Sequence, residues 1–164
     1  MCSSDLKKSF VKDSNDSHTS LIILEKLEES ITEEDYPFLK EIFEKNKDGR
    51  IRHRALIYMG NLNTNKALPF LNKIIQTDHS ISTQILALKY ITESNDEIDN
   101  YLTNKILDNN IYRENRNSFI SAFIRLNPSK AKRLLKQIIK ENNDSYLVNK
   151  AKEILEKTKQ EKKK

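Results

Sequence analysis

The chain should fold wholly as helix, in stacked antiparallel pairs: about four pairs followed by a C-terminal helix. Three observations lead there. First, two adjacent apolar residues, two polar ones and one or two apolar ones recur as Phe38-Leu39 with Ile42-Phe43, Phe70-Leu71 with Ile74-Ile75, Tyr101-Leu102 with Ile106, and Leu134-Leu135 with Ile138-Ile139. The steps between copies are 32, 31 and 33 residues. Positions i, i+1, i+4 and i+5 form one stripe on a helix, whereas a strand would scatter them over both faces. Second, another stripe alternates with the first: Ile23-Leu24 with Leu27, Ala55-Leu56 with Met59, Ala87-Leu88 with Ile91, Ala122-Phe123 with Leu126, and Ala151 with Ile154-Leu155. Its alanines let helix backbones approach closely. Third, helix starts and stops lie between the stripes, with Pro37 and Pro69 at the same place in successive repeats.

Taken in order, the first helix spans 18–30 and carries Ile23, Leu24 and Leu27. Thr32 and Asp35 stand at capping-box spacing and open a helix over 33–45. Pro37 falls in its first turn, where a missing N–H does no harm. Asp48 can accept from the first free N–H groups of a helix at 49–61, and Thr64 can do the same for 64–77. Helices over 81–93 and 96–108 follow on the Ala87 and Tyr101 stripes. The next covers 112–126, and Pro128 opens 129–141 in a different register. Ser145 caps the last, 145–158. No single pair buries its stripes alone, so stacking must make one continuous core.

The residues Asp48-Gly49-Arg50-Ile51-Arg52-His53-Arg54-Ala55-Leu56, then Met59-Gly60, Ala67-Leu68-Pro69, Leu71, Ile75 and Asp78, resemble a HEAT repeat, closest to the HEAT-like class common in bacterial proteins. The match is specific over 48–78 and reaches the rest of the chain as an apolar skeleton. Asp144-Ser145-Tyr146-Leu147 with Ala151 repeats the opening, but Val148 stands where Arg52 stood, and the arginine is also missing around Asp78-His79-Ser80-Ile81. The resemblance implies an armadillo-like α-solenoid. It also implies that Asp and Arg tie neighbouring repeats, so that Arg52 bridges to an adjacent inter-helix loop through Asp78. The departures interrupt such a ladder. Solenoids of this family line their concave surface with the second helix of each pair. Here that surface would carry one row of Lys40, Asn72, Thr103 and Lys136, and another of Glu44, Gln76, Leu107 and Lys140. The second row runs from acidic through neutral to basic.

Composition narrows the function. Of 164 residues, 37% are hydrophobic and 32% charged, and the mean hydropathy is −0.72; no apolar run approaches the roughly 18 residues of a membrane span. Only Gly49 and Gly60 are glycines, too few for a phosphate-cradling loop. Cys2 is the single cysteine, which excludes an internal disulfide and a thiolate zinc cluster. His18, His53 and His79 lack metal-ligand spacing, and no nucleophile motif occurs. We therefore expect no cofactor, no metal and no catalytic residue. The net charge of +5 is uneven: Pro128–Lys164 holds 12 basic and 5 acidic residues, whereas Glu25–Asp48 has nine acidic residues against four lysines.

The organisation read from these patterns is a polar N-terminal segment at 1–17, with Leu6, Phe10 and Val11 as an apolar stripe, a repeat domain at 18–158, and a basic tail at 159–164. The expected function is a non-catalytic protein-interaction scaffold that grips its partner on the concave rows. The alternative is nucleic-acid or anionic-surface binding through Lys130, Lys132, Arg133, Lys136, Lys140 and the tail. A third reading, an enzyme like the HEAT-like alkylpurine DNA glycosylases, rests on the resemblance alone; the chain has no Trp, and its aromatics mostly sit in the core stripes. Arg50 and Arg54, at i and i+4, form an anion site unless they pair with nearby carboxylates. The expected compartment is the cytoplasm. The alternative is a bacterial lipoprotein anchored through Cys2, which is followed by Ser3, Ser4 and Asp5.

Overall fold

Each striped segment forms a helix, and no strand occurs among the described residues, which in the computed structural model are 17–62 and 67–161. Cys2, the Leu6/Phe10/Val11 stripe, Thr64 and Lys162–Lys164 lie outside them. The helices are α1 (Ser17–Leu27), α2 (Tyr36–Lys45), α3 (Gly49–Leu62), α4 (Ala67–Thr77), α5 (Ile81–Leu88), α6 (Asp96–Leu107), α7 (Arg113–Leu126), α8 (Pro128–Glu141) and α9 (Ser145–Glu161). Short 3-10 turns occupy Glu28–Ser30 and Glu33–Asp35.

Local chemistry sets these boundaries. The Asp35 carboxylate accepts from the Thr32 N–H at 2.9 Å, as the capping-box spacing predicts, but the first turn is 3-10 and the α-helix begins at Tyr36. Asp48 accepts from the Arg50 N–H at 2.8 Å. Ser80, Asn95 and Asn127 cap α5, α6 and α8 in the same way. At α9 the cap is Asp144, not Ser145: its Oδ1 accepts from Tyr146 and Leu147 N–H groups at 3.0 and 3.3 Å, and Ser145 already lies inside the helix. α5 stops five residues short of the predicted 93. There the N–H groups of Lys89, Tyr90 and Ile91 fold back onto the carbonyls of Leu86, Ala87 and Leu88, tightening the chain into a turn. α9 instead runs past 158, with Glu153 paired to Lys150 and Lys157 along its exposed side.

One loop shape recurs four times. Asn46, Asp78, Asp108 and Asn142 each donate their N–H to the carbonyl four residues back, at 3.0 Å, closing α2, α4, α6 and α8. Each side-chain oxygen then accepts the N–H two residues on, at 2.8–2.9 Å. Asn and Asp suit this place because their short side chains reach their own backbone.

The described residues form two compact units, one ending at Ile91 and the other starting at Thr92. In the first, α1, α3 and α5 lie side by side and parallel. Arg54 meets Glu25 at 3.1 Å, the Tyr58 hydroxyl donates to Glu28 at 3.2 Å, and His53 Nε2 lies 3.0 Å from Thr83 Oγ1. Burial pushes the Tyr58 phenol up, helped by the neighbouring Glu28 charge, to about 12. α2 and α4 form a second layer, joined by an edge-to-face contact of Phe43 with Phe70 at 5.7 Å. The core between the layers contains Leu24, Leu39, Leu56, Met59, Leu71 and Leu88, each no more than 1% exposed.

Gly60 shows how closely α3 and the turn after α5 approach. A Cβ there would lie 2.3 Å from Tyr90 Cγ, inside the ring's van der Waals envelope. In a helix Ala is favoured over Gly by about 1 kcal/mol, but overpacking costs about 1–3 kcal/mol. Gly60→Ala should therefore lower stability in urea titration, and it should cost less in a Tyr90→Ala background.

In the second unit α6 and α8 are neighbours, as are α7 and α9. Tyr101 of α6 packs edge-to-face on Phe119 of α7 at 6.0 Å, and Asn117 of α7 donates to the Tyr146 hydroxyl of α9 at 2.6 Å. The predicted Ala122-Phe123-Leu126 stripe is displaced: Phe119, Ile120 and Phe123 are the buried residues, and Ala122 is half-buried. α7 starts after Tyr112, which puts Phe119 rather than Ala122 in register with Ala55, Ala87 and Ala151; all four are fully buried. 

Asp99, 4% exposed, ties the α7–α8 corner to α6. Its carboxylate accepts from Ser94 Oγ, from Asn127 Nδ2 at 2.9 Å and from Lys130 Nζ at 2.7 Å. Burial alone would raise its pKa, but the hydrogen bonds from Lys130, Ser94 and Asn127 outweigh that and hold it below the ordinary value. The stability so gained is complete above the unfolded value of about 3.9 and is lost as pH falls through the lower folded value. Asp99→Asn should therefore flatten the loss of stability below about pH 4, measured by circular dichroism melts across the acid range.

Candidate functional site

Two arginines, half-buried Arg52 and buried Arg116, organise the loop ends of the units. Arg52, on the first turn of α3, donates from Nε to the Phe43 carbonyl at 3.0 Å and from its terminal nitrogen to the Asp78 carboxylate. Its guanidinium also stacks 4.5 Å from the Phe43 ring centroid. This is the bridge the sequence anticipated. Arg116, at the matching turn of α7, does the same work in the second unit. It pairs with Asp144 at 2.8 Å and donates to Asn109 Oδ1 at 3.3 Å, with only 4% of its side chain exposed. Asp144 would be raised by burial, but bonds from Arg116 and from the Leu147 and Tyr146 N–H groups hold its carboxyl below the usual range. Gln84 takes the corresponding place in α5 and donates to the Asp78 carbonyl at 2.6 Å.

The sequence reading missed Arg116. The signal was its position: the fourth residue after the residue preceding the helix, as Arg52 is after Asp48 and Gln84 is after Ser80. Anchoring the repeat on Ala122 instead hid it.

A groove lies beside each clasp. In the first unit it encloses about 380 Å³, with a floor of Phe43, Phe70 and Ile74 and a rim of Glu44, Lys73 and Thr77. The second unit's is wider, about 720 Å³, and polar; Asn109, Asn110, Arg113, Arg116 and Asn143 line it beside Tyr112, which is 79% exposed. A third hollow, about 300 Å³, lies in the second unit between α7, α8 and α9. Ile124, Leu135, Ile154 and Leu155 line it, with Lys132 at its edge.

The predicted partner-binding residues divide between the units. In the first, Lys40 is half-buried, with Nζ 5.1 Å from the Phe70 ring and 4.0 Å from Glu44. Glu44 belongs to the 380 Å³ groove, Gln76 is exposed, and Asn72 is half-buried with a buried Oδ1 that has no hydrogen-bond partner. In the second, Thr103 turns back onto its own helix, donating to the Asp99 carbonyl at 2.8 Å, while Leu107 is 38% exposed. Lys136 and Lys140 are exposed, Lys140 lying 3.8 Å from Glu141. The two arginines of the predicted anion pair are each engaged by a carboxylate: Arg50 with Asp48 at 2.7 Å and Arg54 with Glu25 at 3.1 Å.

Among the described residues, no three His, Cys, Asp or Glu side chains gather to hold a metal, and no helix is long and apolar enough to cross a membrane. No known protein family matches the chain, and no curated protein or solved structure is significantly similar to it.

Proposed function

We propose that this chain is built of HEAT-like repeats stacked as an α-solenoid, and that it serves as a non-catalytic scaffold whose second helices grip a protein partner. The repeat reading draws support from the contacts between like helices. Arg54 with Glu25, Tyr58 with Glu28, His53 with Thr83 and Asn117 with Tyr146 all join residues 29 or 30 apart. An arginine clasp at the same helical position in both units supports it too.

The observation that carries the function is the groove over Phe43 and Phe70. Its apolar floor and charged rim reproduce the anatomy of a small interface core, and it adjoins Lys40 and Glu44 on the surface assigned to the partner. Catalysis fits less well. A general acid needs a carboxyl raised toward neutrality, and those of buried Asp99 and half-buried Asp144 are shifted down. The alternative of nucleic-acid or anionic-surface binding draws on the exposed cations of α8.

A photo-crosslinking residue at Gln76, used in the source cell, should capture discrete protein adducts that disappear when Glu44 and Lys73 are both alanine. The same adducts from a control at exposed Lys26, on α1 in the other layer, would refute the surface.

A further inference from the structure

In the first unit Lys40, Lys45, Arg50, Arg52 and Arg54 each pair with a carboxylate, and on α8 so do Lys130 and Lys140. Lys132, Arg133 and Lys136 are exposed, and none forms an ion pair among the described residues. Lys132, Lys136 and Lys140 follow one another at i, i+4 and i+8, a line of about 12 Å along the helix. Lys132 also borders the 300 Å³ hollow lined by Ile124, Leu135, Ile154 and Leu155. Ile154 and Leu155 remain half-exposed there.

We infer that the α8–α9 face docks an acidic amphipathic helix of a partner protein, seating an apolar side chain in the Leu135/Ile154 hollow and carboxylates along Lys132, Lys136 and Lys140. This rests on the scaffold reading and names the partner's chemistry. Two features select this occupant. The cation spacing equals the i, i+4 spacing of carboxylates on an aligned helix, so rows can match residue by residue. The hollow needs an aliphatic group, which a nucleic-acid backbone does not offer, and no aromatic lines the hollow to stack on a base. Charge would speed encounter and set the register, while the buried apolar anchor would set the residence time.

The test uses the full chain and fluorescein-labelled 18-residue helical peptides with glutamates at i, i+4 and i+8. One set carries a Leu, Ile, Phe or Met anchor, and its control carries Ser there; dT20 and a 20-base-pair RNA duplex complete the panel. Anisotropy at low and physiological salt reads affinity, and amide shifts in nuclear magnetic resonance read location. Support is binding by an anchored peptide that weakens at least tenfold with the Ser control and at least tenfold with Lys132→Glu/Lys136→Glu, with shifts confined to residues 124–141 and 154–158. The double variant should keep its helical signal, since both side chains are exposed. Equal binding of the Ser control would reduce the face to plain electrostatics and overturn the inference. So would tighter binding of either nucleic acid, or no binding across the panel. The Gln76 crosslink is independent of this face, so failure here leaves the scaffold reading to be judged there.

Discussion

Leu71→Asp should unfold the first unit. Leu71 is 1% exposed in the core between the two layers, and among the described residues of the first unit no Lys or Arg is buried. Burying an unpaired charge costs several kcal/mol, against a typical total margin of about 5–15 kcal/mol for a domain. Helical circular dichroism should fall by a large fraction, and the main melting transition should broaden or vanish at neutral pH. Leu107→Asp, at a position 38% exposed, supplies the contrast and should cost only about 1–2 kcal/mol, from partly lost burial and a carboxylate in the last turn of a helix. An unchanged melt for the Leu71 variant would disprove the core assignment.

Arg116→Met should be the second large effect, and it should fall on the second unit. The substitution keeps much of the side-chain volume but strands Asp144 at the α9 N-terminus and removes the donor to Asn109. Breaking a buried pair from one side costs about 3–5 kcal/mol. The lower part of that range applies here, because Asp144 is 18% exposed and retains two backbone N–H donors. Hydrogen exchange should show faster opening of α7 through α9, with α3 unchanged. Adding Asp144→Asn should recover part of the loss by removing the stranded charge. An Arg116→Met protein that melts like the parent would show that the clasp contributes little.

Much of the helical plan could be read from spacing because each stripe has to meet another helix, and burial leaves the period written in apolar residues. Asp48 as a cap was legible because it acts on the helix that directly follows it, whereas Arg52 reaching Asp78 was anticipated only through the resemblance to a HEAT repeat. Phe119 was not. The pattern expected a small residue where α7 carries a ring, and the ring is accommodated by its edge contact with Tyr101. The register slipped to Ala122, and Arg116 went unrecognised with it. The early end of α5 was also hidden, since Ile91 stays buried whether it is reached by helix or by turn. The grooves depend on three-dimensional convergence of loop ends, for which no linear spacing exists. The α8 cations were visible as a line, but the absence of ion pairs at Lys132 and Lys136 among the described residues and the hollow beside Lys132 were not.

The bare backbone at position 60 has a consequence for how this protein can drift over generations. Alanine is the easier residue for a helix, yet the Tyr90 ring crowds it. The order of change is therefore biased: a side chain at 60 is better tolerated once the ring at 90 is gone, and regaining the ring afterwards favours glycine again. Among descendants of this chain the two sites should be inherited as a couple, a glycine travelling with an aromatic and a methyl travelling with something smaller.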